Sequence, residues 1–245
     1  MRIPRLYVDS RLVPGEDTGL PAQAAAHVVR VLRLRPGDAV ALFNGDGNEY
    51  PARLLVASTR GATAHIESCL RATAESPLRI TLAQALARGE KMDWIVQKAT
   101  ELGVATIVPL ATERSEVKLD DKRASKRFEH WRAIAIAACE QSGRAIVPSI
   151  EAPLALDTWL ASRASGKDEI RLVLHPGANR STRALQPAPR TLTLAVGPEG
   201  GFGNRDLEAL HEAGFRDLSL GPRILRTETA GVAAMAALQA LHGDL

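Results

Sequence analysis

The pattern of hydrophobic and polar positions changes period once along this chain. Through roughly the first seventy residues the apolar runs are short, as in "IPRLYV", "DAVALF", "YPARLLVAS" and "ATAHIE". Turn formers such as "RPGD" and "NGDGN" separate them, which predicts β-strands. One segment differs: in "LPAQAAAHVVRVLRL", Ala26, Val29 and Leu32 to Leu34 keep near-helical spacing. The expectation is a small barrel-like β domain with one helix.

Beyond the polar stretch "RATAESP", strand and helix patterns alternate. "RITLAQAL", "VATIVPL", "IRLVLH", "TLTLAV" and "DLSL" predict strands. "EKMDWIVQKATEL" sets Met92, Ile95, Val96, Ala99 and Leu102 on one helical face and stops at Gly103. "SKRFEHWRAIAIAACEQS" predicts a long helix ending at Gly143, and "NRDLEALHEA" one closed by Gly214. In the last helix Val232, Met235, Leu238 and Leu241 share a flank with alanines between, which suits either a dimer seam or a core. This alternation, with few hairpin signals, implies an α/β fold with a mostly parallel sheet covered on both faces. Two domains are expected, 1–74 and 75–245.

Composition adds limits. With 45% hydrophobic and 24% charged residues in 245, the chain is an ordinary soluble globular protein. A net charge of +3 permits a polyanionic partner without demanding one. Aromatics at 4% argue against a surface that grips single strands mainly by stacking. Cys69 and Cys139 stand far apart with no metal-ligand spacing and are expected to be buried thiols in a reducing compartment. No metal site is expected, and His175 has no second ligand near it in sequence. The N-terminus lacks an apolar signal core and no run reaches bilayer-spanning length, so the expected location is cytoplasmic.

Ligands of open α/β sheets sit beyond the carboxyl ends of the strands. Three such exits are rich in glycine and proline: "HPGAN" after Leu174, "GPEGGFGN" after Val196 and "GPRILRTET" after Leu220. They let main chain approach a ligand closely. "GPEGGFG" is neither a dinucleotide fingerprint nor a phosphate loop, which disfavours an NAD-dependent oxidoreductase. Glu199 would repel a phosphate and suits a ligand with hydrogen-bond donors or positive charge. S-adenosylmethionine meets that description, and so do other nucleosides.

Motifs along essentially the whole chain narrow the choice. "HVVRVLRLRPGD" (His27–Asp38), "EKMDWIVQKATELGV" (Glu90–Val104), "ERSEVK" (Glu113–Lys118), "EQSGR" (Glu140–Arg144), "VGPEGGF" (Val196–Phe202) and "LGPRILRTETA" (Leu220–Ala230) resemble the bacterial ribosomal RNA small subunit methyltransferase E family, which makes N3-methyluridine in 16S rRNA. The resemblance implies a SPOUT-type methyltransferase domain with a trefoil knot, preceded by a PUA-like RNA-binding barrel, in a homodimer. It also implies S-adenosyl-L-methionine as cofactor and 16S rRNA or the small ribosomal subunit as partner. Carried over, Leu174, His175 and Pro176 would line one side of the cofactor pocket. Gly197, Pro198, Glu199, Gly200 and Gly201 would line another, and Leu220, Gly221, Arg223, Ile224 and Leu225 would wrap the adenine, with Thr229 close by. Two departures stand out: Gly203-Asn204-Arg205-Asp206 where the family usually has serine and an acidic helix start, and Glu116 where an apolar or small residue is frequent. Asn204 is expected to cap the following helix.

The chemistry that resemblance implies sets the remaining expectations. Uridine N3 is protonated at neutral pH, so the enzyme must help that proton leave and stabilise the resulting anion. A carboxylate suits the first task, with loss of the proton to water as the alternative, and arginines suit the second. Arg226 and Glu228 are candidates to address the uridine, or else form a structural ion pair, while Thr227 and Thr229 cap the helix or touch the cofactor. Glu199 is a second candidate base, its alternative role being to cap the "GGFGN" turn. Arg114 is a candidate substrate contact within Glu113, Arg114, Ser115 and Lys118, and with Glu140, Gln141 and Arg144 this cluster is expected on the RNA side. Phosphate contacts are expected from Lys122 and Arg123 in "KRASKR" and from Arg30, Arg33 and Arg35. The competing readings are a SPOUT methyltransferase acting on another rRNA or tRNA base, and a non-enzymatic RNA-binding assembly factor.

Overall fold

The computed structural model describes residues 3–58, 61–73, 75–116, 121–163, 169–178, 182 and 189–245, except the side chains of Asp121 and Lys122. Two compact units make up the chain: Met1–Glu75 with Ile136–Val147, and Ser76–Ala135 with Pro148–Leu245.

The first unit carries β1 (Arg5–Tyr7), β2 (Asp17–Gly19), α1 (Ala22–Ala26), β3 (Ala39–Phe43), β4 (Asn48–Ser58), β5 (Gly61–Ile66) and β6 (Leu70–Arg71). Its sheet runs β1-β3-β4-β5-β2, with β6 paired to β4; only the β1–β3 pair is parallel. A register shift between Leu54 and Val56 interrupts the β4–β5 ladder, and such bulges bend a strand. Leu6, Val28, Val40, Leu42, Leu54 and Ile66 fill the interior. The expected single helix is instead a five-residue α1 that continues as a π turn over His27–Val31. The turn ends where the Leu34 N–H donates to the Val28 carbonyl at 3.0 Å and Arg33 takes φ 54°, the left-handed position that glycine usually fills. Two strands, β2 and β6, carried no readable pattern because each has only two or three residues. Cys69 is exposed, which corrects the expectation of two buried thiols. Cys139 is buried beneath Phe43 and Ala145, and burial pushes its thiol up to about 12, so it stays protonated and inert.

The second unit is an α/β layer structure. Its strands are β7 (Arg79–Ala85), β8 (Val104–Ala111), β9 (Ser149–Ile150), β10 (Leu154–Ala155), β11 (Glu169–Leu174), β12 (Thr191–Val196) and β13 (Arg216–Leu218). The helices are α2 (Lys91–Glu101), α3 (Asp121–Ser142, its last turns belonging to the first unit), α4 (Leu156–Ser162), α5 (Asn204–Glu212) and α6 (Thr227–His242). Every strand pair is parallel, in the order β10-β8-β7-β12-β11-β13, with β9 beside β8. Runs such as "LTLAV" are buried along their length because helices cover both faces. On one face Trp159 of α4, Leu210 of α5 and Phe215 pack on Ala83, Val108 and Ala195. On the other, α2 packs against α6. Gly103, at φ 78°, and Gly214, at φ 85°, close α2 and α5 as expected.

The buried stripe of α6 is Gly231, Ala234, Met235 and Leu238. Val232 is only half-buried and Leu241 is exposed, so the expected flank is rotated by about one position. Gly231 explains the rotation. A Cβ there would already touch Gln84 Oε1 at 3.4 Å and Val196 Cγ2 at 3.5 Å, so the small residue brings α6 down onto β7 and β12.

Candidate active site

In an all-parallel sheet the strands deliver all their carboxyl ends to one edge. β12, β11 and β13 are neighbours, so the loops after Val196, Leu174 and Leu218 meet there. Between them lies a crevice of about 560 Å³, within the roughly 300–1,000 Å³ typical of small-molecule sites. Leu174, His175 and Pro176 form one wall, Gly197 to Gly201 the second, and Leu220, Gly221 and Arg223 to Leu225 the third. Thirteen of the fourteen residues expected around a cofactor are thus brought together; Thr229 lies on α6 outside the lining.

Main-chain and side-chain hydrogen bonds hold the glycine loop in shape. The Gly201 N–H donates to the Pro198 carbonyl at 2.9 Å. Arg114 reaches across from the end of β8 and donates to the Gly200 carbonyl at 2.9 Å, placing its side chain in the crevice wall. A Cβ on Gly197 would sit 2.9 Å from the Phe202 nitrogen and 3.0 Å from the Gly201 carbonyl carbon, so the fold of the loop itself excludes one. Helix α5 starts differently from expectation. Asn204 is its first residue, and the Asp206 carboxylate accepts from the Gly203 N–H at 3.0 Å. That carboxylate also accepts from the Glu113 N–H at 3.1 Å, so it joins the exit of β8 to the glycine loop.

A charged rim borders the crevice. Arg226 is the residue just before α6 and lines the opening. Glu228 does not pair with it; the Glu228 Oε2 atom lies 3.7 Å from Lys91 Nζ, on α2. Lys91 donates to Glu199 Oε1 at 2.8 Å, and the Arg88 N–H donates to the same oxygen at 3.1 Å. Glu199 therefore serves neither to cap the following turn nor to stand free. Burial alone would raise its carboxyl, but the bonds from Lys91, from the Arg88 main chain and from its own N–H, together with the Lys91 charge, hold it below the usual carboxylate range. Glu228 differs: its Oε2 is buried with no hydrogen-bond partner among the described residues.

Lys91 was missed by sequence reasoning although it stands inside a quoted motif, because a lysine opening a helix reads as a solvated end. Phe202, Leu218, Ser219 and Ala230 also line the crevice. Thr227 faces inward and donates to the Gly197 carbonyl at 2.6 Å. Among the described residues, no cluster of His, Cys, Asp or Glu is arranged to hold a metal.

Comparison with known proteins places this architecture. The pattern of the family described as "RNA methyltransferase domain" matches residues 74–239, and that described as "RNA methyltransferase PUA domain" matches 20–67. A ribosomal RNA small subunit methyltransferase E from Buchnera aphidicola (subsp. Schizaphis graminum) is 34% identical over 244 residues, covering 100% of this chain and 98% of its own. Its namesake from Bacillus subtilis is 33% identical and covers 89% of each chain. The chain belongs to the ribosomal RNA small subunit methyltransferase E family. A family member from Neisseria gonorrhoeae, solved with S-adenosyl methionine bound, has a TM-score of 0.92 and 38% identity, covering 100% of both chains. The α/β unit of this family member thus follows a PUA-like domain, as the sequence implied.

The expected RNA contacts fall in several places. Arg30, Arg33 and Arg35 are exposed around the π turn of the first unit. Gln141, also in the first unit, is exposed. Arg144 is only 11% exposed, with its guanidinium against Glu75. Arg123 is exposed on α3, Lys122 lies in that helix with its side chain outside the described residues, and Lys118 lies outside them altogether.

Proposed function

We propose that this protein methylates N3 of a uridine in 16S ribosomal RNA, with S-adenosyl-L-methionine as methyl donor. The observation that carries the reading is the crevice itself. Three adjacent strand exits surround it with main chain and apolar side chains, Arg226, Arg114 and Lys91 line it, and Glu228 stands just beyond, 3.7 Å from Lys91. A nucleoside fits such walls: its flat base suits the apolar loop from Leu220 to Leu225, and its hydroxyls suit main-chain groups. When bound, the donor would supply a methyl group from its sulfonium sulfur to the uridine nitrogen, leaving as the neutral thioether. The chain's own residues then have two tasks.

One task is removing the N3 proton. Glu199 is poorly suited, because Lys91 and the Arg88 N–H stabilise its charged form and occupy one oxygen. Glu228 keeps one oxygen buried and without a hydrogen bond among the described residues, 3.7 Å from Lys91 Nζ, so that oxygen has acceptor capacity to spare for the N3 proton. The other task is facing the anion spread over N3, O2 and O4, which Arg226 and Arg114 perform as permanently charged donors. Support also comes from relatives named for ribosomal RNA small subunit methylation and from the neighbour solved with S-adenosyl methionine. The reading includes the trefoil knot, a cytoplasmic homodimer, and 16S rRNA or the small subunit as partner.

Primer extension on rRNA from a deletion strain tests it. N3 methylation blocks Watson–Crick pairing, so the wild-type stop should vanish on deletion and return with the gene. A read-through that deletion leaves unchanged would defeat the assignment to this base.

A further inference from the structure

A second cleft, of about 750 Å³, opens on the same unit and shares Lys91 with the crevice. Arg88 to Lys91, Asp93, Trp94 and Gln97 wall it from the α2 side, Ile134 from α3, and Glu228 from α6. Its walls carry charges of both signs, unlike a groove that would take an apolar helix. Trp94 is the unusual member. The indoles of Trp131 and Trp159 are 1% and 2% exposed, whereas Trp94 is 41% exposed. The buried face of α2 is Met92, Ile95, Val96 and Ala99, so Trp94 lies off it and contributes its area to the cleft instead.

Helical spacing orders the groups. Lys91, Trp94 and Gln97 recur every third residue and so stand side by side, about one turn apart. A cation, an aromatic plane and an amide thus follow one another along one face. Next to the cation is Glu228, whose buried Oε2 makes no hydrogen bond among the described residues and lies 3.7 Å from Lys91 Nζ. That combination is complementary to a nucleobase, which has flat apolar faces and an edge of donors and acceptors. Uracil offers O4, N3–H and O2 in sequence: a carboxylate can accept the central proton while Lys91 takes one flanking carbonyl, the other being left to the arginines of the adjoining crevice. Cytosine would set its N3 lone pair against the same carboxylate.

We infer that this cleft receives a uracil nucleotide of an RNA strand, the base stacked on Trp94 with its pairing edge turned toward Glu228 and Lys91. The inference rests on the proposed methyl transfer to RNA and assigns the place of the accepting base, which the shared wall at Lys91 puts next to the donor crevice. One exposed indole also reconciles base stacking with a chain poor in aromatics.

Tryptophan fluorescence of the full chain reads the site directly, because Trp94 is the indole open to solvent. A uridine hexanucleotide should protect the accessible tryptophan from acrylamide, and a cytidine hexanucleotide should protect it less. Trp94→Ala should abolish this response and raise KM for 16S rRNA roughly five- to one-hundred-fold, the range of base–aromatic stacking. Its Kd for S-adenosylmethionine should stay unchanged, and Trp94→Phe should recover most of the KM. Unaltered acrylamide access with the uridine oligonucleotide, or an unaltered KM in Trp94→Ala, overturns the inference. Mapping the methylated atom in the wild-type product separates the two claims. N3 methylation with Trp94 unprotected discards the cleft alone, and a protected Trp94 without N3 methylation discards the reaction alone.

Discussion

Thr227 Oγ1 donates a 2.6 Å hydrogen bond to the main-chain carbonyl of Gly197, fastening the first turn of α6 to the loop after β12. The same oxygen accepts from Gln84 Nε2 at 3.0 Å, near the end of β7. One buried hydroxyl therefore fixes the spacing between two walls of the crevice. Thr227→Val keeps the shape but strips the Gly197 carbonyl of this donor. The expected cost is about 1–3 kcal/mol of stability. Affinity for S-adenosylmethionine should fall about tenfold, equivalent to about 1.4 kcal/mol. Thr227→Ser should restore both. Denaturant unfolding and calorimetry measure the two effects, and wild-type affinity in Thr227→Val would show that the tie does not shape the pocket.

Neighbouring glycines of the loop should respond in opposite ways. A Cβ on Gly197 meets main-chain atoms at 2.9 and 3.0 Å, which cannot swing aside. A Cβ on Gly200 meets only Arg114 side-chain carbons at 3.6 Å, an ordinary contact. Gly197→Ala should cost about 1–3 kcal/mol, the range for overpacking, and Gly197→Val should eliminate cofactor binding. Gly200→Ala should stay within about 0.5 kcal/mol of wild type, as surface changes do. Thermal unfolding together with calorimetric titration decides this, and equal behaviour of the two alanine variants would contradict it.

The contrast between those glycines was invisible in "GPEGG", where both look like the same flexible residue. Most strands and helices of the second unit were readable because they are long enough to show their period, and the three exits were readable because glycine and proline cluster after apolar runs. β9 and β10 were not, being two residues long and formed by pairing with or near β8. α4 was missed because its seven residues hold only two buried positions, Leu156 and Trp159. The cap of α5 was misassigned because Asn204 and Asp206 both suit a helix start, and only tertiary contact with Glu113 shows which is engaged. Lys91 shows the same limit at the site: its two carboxylates are 108 and 137 residues away in sequence. No local pattern encodes such a meeting.

Arg226 should separate turnover from binding. Its main-chain carbonyl accepts from the N–H groups of Thr229 and Ala230, at 2.9 and 2.8 Å, which opens α6 whatever the side chain. Its exposed side chain is therefore expendable for the fold and stands at the crevice opening. Arg226→Ala should lower kcat about 10²–10³-fold, as loss of one donor to a developing anion does, with little change in the Kd for S-adenosylmethionine. Single-turnover kinetics and calorimetry give the two numbers. A parallel collapse of affinity would move Arg226 into the cofactor pocket instead.

Acid sensitivity should concentrate at the start of β11. The Glu169 carboxylate, 8% exposed, accepts hydrogen bonds from Thr193 and Arg163 on one oxygen and from Arg171 Nε at 2.9 Å on the other. Burial would raise this carboxyl, but the bonds from Thr193 and Arg171 and the charges of Arg163 and Arg171 outweigh it and hold the group below its ordinary 4.5. A carboxyl depressed by folding stabilises the native state in full above its unfolded value, and that contribution drains away as pH falls through the lowered folded value. At pH 7, Glu169→Gln should therefore be less stable than wild type by about 1.5–3 kcal/mol, the worth of a charged hydrogen bond. Below pH 4.5 the gap should narrow as the wild type takes up its proton, while the variant changes less steeply. Urea unfolding of both proteins across this range measures the difference, and a gap that stays constant with pH would mean that Glu169 contributes shape rather than charge.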